Sequence, residues 1–328
     1  MIPGWWVSVH GEPGPTLAGC LEAAVAAPSV HNTQPWLFRL RDGAIDVLAD
    51  RTRQLTVLDP DGRELTMSVG AAVFNLRVAV LSHGRIPLLR LLPAPDEPDL
   101  LGRIVPGRRA PRSATARRLD RAIPLRHTNR RPFYDIPIPR EVLDDLAAAA
   151  HAEHADLTVL GPAVRDDIFG LVRTAEGRRR LDPSYWTELS LWTRDIPGRR
   201  DGVPPAAFGP WPVLDSVPLR DFGLVQPARR RHAERFEHEP TVVVLQTSGD
   251  GPRDWLHAGQ ALERVLLTAT VRGVASTLMT QPLELPELRA LVRDRVGGGI
   301  VQALVRLGYG PPSPPSPRRP LTGVLLAG

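Results

Sequence analysis

LTMSVGAAVFNLRVAVLSHG, residues 65–84, decides how the rest of the chain is read. Apolar side chains return at Val69, Val73, Leu76 and Val80, the spacing of one helix face, and Gly84 stands where a helix stop belongs. Residues 254–273 repeat the design. An offset of 189 residues (259 minus 70) brings Gly70 onto Gly259, Gly84 onto Gly273 and Pro93 onto Pro282 without a gap. Each copy lies between strand-like runs, 44–49 and 87–92 around the first, 241–246 and 275–279 around the second. Other identities are few, Ala72 with Ala261 and Leu89 with Leu278 among them, and helix–Gly–strand is a common unit. Two readings therefore stand: coincidence, or two fused copies of one α+β half related by a pseudo-twofold axis, with a ligand at the seam.

Outward from these helices, residues 17–27 form an Ala-rich helix that Pro28 ends, and residues 36–40 and 44–49 form a hairpin around Arg41-Asp42-Gly43. Helices are predicted over 139–150, 162–173 and 285–295, and strands over 157–160 and 301–307. The basic stretches 107–121 and 228–235 read as solvated helix faces in preference to phosphate or nucleic-acid surfaces. Residues 174–239 keep no amphipathic period. Trp186, Trp192 and Trp211 argue against disorder there, so the segment reads as an ordered excursion, a lid. The tail PPSPPSPRRPL is extended.

The 328 residues suit one large domain or two coupled ones, at roughly 100–200 residues per domain. All 41 basic residues are arginine, against 36 acidic ones, a net charge of +5. Without lysine no Schiff base can form, which removes covalent pyridoxal phosphate chemistry. The single Cys20 removes disulfide frameworks and cysteine zinc cages, and no metal ligand set is expected elsewhere. There is no Gly-x-Gly-x-x-Gly fingerprint and no Gly-x-Ser-x-Gly elbow. No run of about 18 apolar residues escapes a charge, and the first residues lack a basic segment followed by an apolar one. The expectation is a cytoplasmic protein acting on a small molecule, with no membrane or nucleic-acid partner.

Three segments resist a packing explanation. Pro28-Ser29-Val30-His31-Asn32-Thr33-Gln34-Pro35-Trp36 is a loop dense in hydrogen-bonding side chains, readable as a ligand loop or as a capped turn. Arg126-His127-Thr128-Asn129-Arg130 places guanidinium groups around a hydroxyl, a good phosphate clamp or simply a basic turn. Arg318-Arg319 is a basic pair held between prolines.

Together these segments resemble the flavin-binding signature of the nitroreductase family, in the order of its Acg-like actinobacterial branch. The matched features are Arg126/Thr128/Arg130, the Pro-Ser motif from Pro28 to Trp36, Gly273 followed by Pro282-Leu283-Glu284, and Arg318/Arg319. The resemblance runs from about residue 17 to 321, most loosely over 174–239. It implies an α+β fold of mixed or antiparallel sheets flanked by helices, built as two fused halves: an extension over 1–16, a first half over 17–121, and a second over 122–328 that carries the lid and a C-terminal arm. In ordinary members the arginine motif comes first and two subunits make two sites. Here the order is reversed and each motif occurs once, which implies a fused dimer, possible as a monomer, with one FMN per chain.

By the same resemblance Arg126, His127, Thr128 and Arg130, with Arg318 or Arg319, hold the phosphate and ribityl chain. Pro28, Ser29, Val30, Asn32 and Gln34 lie along the isoalloxazine edge. The turn Gln281-Pro282-Leu283-Glu284 offers a backbone N–H to flavin N5, with Glu284 positional. NAD(P)H is the transient reductant in a ping-pong cycle that ends on a small organic acceptor. His31 is either a proton donor or structural. The alternative function is FMN sequestration under a closed lid with little turnover.

Overall fold

The computed structural model describes residues 17–213, 216–225 and 231–326. The expected extension over 1–16 lies outside the described residues. In chain order the first half carries α1 (Leu17–Val25), β1 (Trp36–Arg41), β2 (Ala44–Ala49), α2 (Arg63–Ser82), β3 (Arg85–Leu91), β4 (Leu100–Arg109) and α3 (Ala114–Ala122). There follow α4 (Arg140–His151), β5 (Asp156–Val159), α5 (Pro162–Arg179), α6 (Pro183–Thr193), β6 (Trp211–Pro212) and β7 (Ala233–Glu234). The chain then runs through β8 (Thr241–Thr247), α7 (Pro252–Val271), β9 (Ala275–Leu278), α8 (Pro286–Val296) and β10 (Ile300–Gly308).

Helix α2 starts where it does because the Asp59 carboxylate accepts from the N–H groups of Glu64 (3.0 Å) and Leu65 (2.8 Å), which would otherwise be orphaned at the helix start. It stops at Gly84, whose φ of +78° is a left-handed conformation that glycine adopts without penalty. By length and composition α2 could cross a membrane, but 89% of that stretch is buried inside the protein. It is a core helix.

Two four-stranded sheets have the orders β1-β2-β4-β3 and β5-β8-β10-β9, with every pairing antiparallel, and β6 and β7 form a short parallel pair in the excursion. In each four-stranded sheet, the strand before the long helix stands second, the strand after it stands at the edge, and the last strand fills the gap between them. The two long helices cross at the glycines that the 189-residue offset pairs. A methyl group on Gly70 would come within 2.6 Å of the Leu256 carbonyl oxygen, and one on Gly259 within 2.0 Å of the Met67 carbonyl oxygen. Leu256 is itself Met67 moved on by 189 residues (256 minus 67), so the contact is reciprocal, as a twofold interface demands. Coincidence is therefore excluded, and the fold is α+β with two equivalent sheet–helix units.

The units interlock. After β10 the arm returns to the first sheet, where the Phe38 N–H donates to Val324 O (2.8 Å) and the Leu326 N–H to Phe38 O (2.8 Å). Upstream of α4, the Asn129 N–H donates to Ser276 O (2.8 Å) beside β9. Arg306, which interrupts the apolar run of β10, is fully buried, forked onto Glu237 (Nε–Oε1 2.5 Å, Nη2–Oε2 2.6 Å) and stacked 3.8 Å from the Phe133 ring.

Several local readings are corrected. Residues 107–121 are not one helix: β4 runs to Arg109 and α3 begins only at Ala114, where the Ser113 hydroxyl caps it. Strand β4 carries no apolar alternation beyond Ile104 because it faces solvent there. In the run 228–235, residues 228–230 lie outside the described residues, and Ala233–Glu234 is a strand rather than a helix. The excursion is more regular than its periodicity suggests, since α5 continues to Arg179 and α6 is capped by Asp182, which accepts from the Ser184 N–H at 2.9 Å. Its core is Tyr185, Leu189, Phe208 and Phe222, packed on Leu55 and Leu58. Of the three tryptophans, only Trp192 joins that core; Trp186 and Trp211 stay exposed.

Candidate functional site

A cavity partly open to solvent lies at the seam. Its walls come from the 28–32 loop, α2, the 126–130 segment, the excursion, β9 and β10, and the C-terminal arm. Of the expected residues, Pro28, Ser29, Val30, His31, Asn32, Arg126, His127, Thr128, Arg130 and Arg318 line it. The wall does not include Gln34, Arg319 or the turn Gln281-Pro282-Leu283-Glu284.

Three residues of the Pro-Ser motif, His31, Asn32 and Gln34, have φ of 46°, 55° and 52°, left-handed backbone that side chains with a Cβ adopt at a cost. Hydrogen bonds hold it. Ser29 Oγ accepts from the Gln34 N–H (2.9 Å), and Asn32 Nδ2 donates to Gly202 O (2.9 Å) and Pro317 O (3.0 Å). Asn32 Oδ1 accepts from Arg318 Nη1 at 3.0 Å. Gln34 Nε2 donates to Arg200 O (2.9 Å), its Oε1 accepts from the Arg319 N–H (2.8 Å), and Arg319 Nη1 donates to Gln34 O (3.1 Å). Gln34 and Arg319 thus clasp the loop, the excursion and the arm together.

Arg126 and Arg318 meet over the end of α1. Arg318 Nη2 donates to Ala26 O (3.1 Å) and Ala27 O (3.2 Å), and Arg126 Nη2 to Ala26 O (3.4 Å), the carbonyl end of a helix that favours cations. The Nε atoms of both are buried without a hydrogen-bond partner. Burial, with the charge of Arg126 beside it, pulls Arg318 down to about 9, still cationic at neutral pH. Between them His127 is pushed down to about 4 by burial and by both guanidiniums, so it is neutral. Arg130 departs from this cluster: Nη1 donates to Ala207 O (2.8 Å) and the guanidinium stacks 4.5 Å from the Phe222 ring.

His31 is buried, and neither ring nitrogen has a hydrogen-bond partner. Burial, then Arg220, Arg130 and Arg179, hold its pKa well below the ordinary value, so the ring is neutral. The turn 281–284 sits behind the wall, where Glu284 takes the Arg220 guanidinium and the Thr280 hydroxyl (2.8 Å).

Sequence reasoning missed Glu64, Arg220, Phe222 and Gln302, which also line the cavity. Gln302 had a readable signal, an amide inside the buried run VQALV; the other three had none. Glu64 is the one carboxyl on the wall, against Arg126, Arg130, Arg220 and Arg318. Burial pushes it up to about 8, Arg63 opposing and Glu284 and Asp59 adding to the rise.

Over 328 residues the chain is 34% identical to a Mycobacterium tuberculosis protein that carries the name NAD(P)H nitroreductase Rv3131, covering 97% of this chain and 93% of that one. The chain belongs to the nitroreductase family. Its branch is Acg-like: it is 31% identical over 323 residues to the M. tuberculosis protein named NAD(P)H nitroreductase acg, covering 94% of each. A solved structure of the FMN-dependent nitroreductase NfnB from Mycobacterium smegmatis, in complex with NADPH, matches 60% of this chain and 88% of that one at 18% identity and a TM-score of 0.36. No protein-family model matches the chain.

In this nitroreductase-family protein the buried acids set a pH dependence of stability. Glu64 at about 8 and Glu263 at about 7 hold protons in the folded state that the unfolded chain releases near 4.5. Their contribution is complete below 4.5 and is lost as pH rises toward the folded values. The lowered histidines His31 and His127 act in the opposite sense, but only below about 6.5. Between pH 6.5 and 8 the FMN-free protein should therefore lose roughly 2 kcal/mol of stability. Urea unfolding at the two pH values checks this, and equal or greater stability at pH 8 would contradict the raised carboxyls.

Proposed function

We propose that the chain is an FMN-dependent NAD(P)H oxidoreductase that holds one flavin in the seam cavity and acts on a small organic molecule. The observation that carries this reading is charge: four buried or half-buried arginines line the cavity against one carboxyl, Glu64, which is already taken by Arg63 at 2.9 Å, and of the four only Arg220 has a closed carboxylate partner, Glu284 behind the wall. A phosphate dianion supplies the missing negative charge. The partnerless polar atoms support the same ligand: Arg318 Nε and the His31 nitrogens belong to residues that line the cavity and cost about 1–3 kcal/mol each until something bonds to them, whereas Arg126 Nε faces Glu263 at 3.6 Å.

Arg126, Thr128 and Arg318 would hold the phosphate. Pro28, Ser29 and Asn32 supply polar and backbone contacts on one wall, while Val30, Leu219 and Phe222 suit an apolar ring. When bound, FMN supplies two-electron transfer between NAD(P)H and the acceptor. The chain orients the ring, keeps Glu64 as a buried proton store, and excludes water with the excursion. His31, neutral at working pH, can only donate from an uncharged ring. Because α2 and α7 satisfy each other within one chain, we read the protein as a monomer.

A second reading, flavin storage with little turnover, draws on the bonds that bolt the excursion shut: Asn32 to Gly202, Gln34 to Arg200, Arg130 to Ala207 and Arg220 to Glu284. Absorbance of the purified protein tests the common part. Flavin bands at one FMN per chain are expected, and colourless protein that takes up no FMN would sink both readings. Anaerobic NADPH then separates them: bleaching marks the oxidoreductase, and persistent yellow that dithionite removes marks storage.

A further inference from the structure

We propose that Glu263 is a proton-linked counter-ion of the phosphate end of the cavity: it faces Arg126 and Arg318 in the free protein and takes up a proton when a phosphate monoester arrives. The inference rests on the flavin reading above and adds to it a residue that does not touch the ligand.

Glu263 lies on α7, fully buried, and does not line the cavity, whereas Arg126 and Arg318 do. Its Oε2 stands 3.6 Å from Arg126 Nε. Neither carboxylate oxygen meets a donor in hydrogen-bond geometry, and the Nε atoms of both arginines are equally partnerless. This differs from a structural ion pair such as Arg306 with Glu237, where the fork is closed at 2.5 and 2.6 Å. The Arg126–Glu263 pair is left open by the protein alone, whereas the terminal nitrogens of Arg318 already donate to Asn32 Oδ1 and to four backbone carbonyls.

The groups that act on Glu263 can be named element by element. From the 126–130 segment comes Arg126, from the C-terminal arm Arg318, and from α2 the amide of Asn75, which lowers its pKa from close by without bonding geometry. On α7 itself Arg264 turns away to Glu153 at 2.8 Å. His127 is neutral and adds no charge. Burial, opposed by those two arginines, pushes Glu263 up to about 7.

Charge balance does the rest. Two guanidiniums and a phosphate dianion sum to zero, and an ionised Glu263 would leave a net negative charge in a water-poor cluster, which costs several kcal/mol. A proton from solvent onto a Glu263 oxygen restores neutrality. Glu263 thereby tunes how tightly the phosphate is held and makes flavin retention weaken as pH rises.

The test is FMN binding to the flavin-free protein, followed by flavin fluorescence between pH 7 and 8.5. The ligand phosphate, with a second pKa of about 6, stays dianionic there and adds no slope of its own. For the wild type, Kd should rise toward about tenfold per pH unit above pH 7. For Glu263→Gln the slope should be shallower by about one proton per FMN, the remainder belonging to Glu64 and Arg318, which titrate near 8 and 9 at the same cavity, and at pH 8.5 binding should be tighter than wild type. Riboflavin, lacking the phosphate, should show no such slope on either protein. Calorimetry of the wild type at pH 8 in buffers of different ionisation enthalpy should count about one proton taken up, a readout independent of how the variant folds. FMN binding without pH slope or proton uptake, or a Glu263→Gln slope as steep as that of wild type, overturns the role of Glu263 and leaves the flavin reading intact. No FMN binding at any pH overturns the flavin reading itself.

Discussion

Gly259→Ala is expected to abolish most of the stability of the fold, by about 4 kcal/mol or more. The added methyl group would stand 2.0 Å from the Met67 carbonyl oxygen and 2.7 Å from its carbonyl carbon. Both are backbone atoms of a helix, so relief requires α2 and α7 to move apart, and each is buried against its own sheet. The pseudo-equivalent Gly70→Ala, 2.6 Å from Leu256 O, should act in the same direction with a smaller cost. Gly170→Ala, where a methyl group would meet nothing within 4 Å, should be neutral or stabilising by about 0.5–1 kcal/mol, because alanine is the better helix former. Urea unfolding midpoints order the three. A Gly259→Ala protein within about 1 kcal/mol of wild type would refute the close crossing and the twofold reading built on it.

Arg126→Ala is expected to weaken FMN binding about a hundredfold or more, the scale of removing one partner from a buried, charge-assisted contact. Arg318 would then face the phosphate alone while still answering to Glu263. The loss should fall on FMN and spare riboflavin, so the preference of the site for the phosphorylated flavin collapses. Arg126→Lys should recover part of the affinity, because an ammonium restores the charge without the planar fork. An FMN Kd within threefold of wild type would remove Arg126 from the phosphate end.

The motifs were legible because each is local. Pro28 to Trp36 and Arg126 to Arg130 are contiguous strings whose residue types announce hydrogen bonding and anion binding, and the helix repeat announces itself through glycine spacing. Gln34 and Arg319 show the limit of such reading. They belong to the strings, yet the fold turns one toward the other, and they work as a clasp rather than on the cavity wall. Strand β4 escaped for a related reason: its outer half faces solvent, and periodicity marks an element only where one face is buried.

From composition and pattern alone came the arginine-only charge, the exclusion of lysine chemistry and of cysteine zinc cages, the two long helices and the three polar segments. Those properties are carried by residue type and short spacing, which no later folding step can alter. Which residues share a wall was settled by the crossing at Gly70 and Gly259, which brings α2 and α7 together, with the 28–32 loop and the 126–130 segment lining one cavity. The same packing sets Glu64 and Glu263 in surroundings dry enough to hold a proton near pH 7. Burial and distance of this kind depend on contacts between residues far apart in the chain, and so the chemistry of the acids became readable only once the two halves had closed on each other.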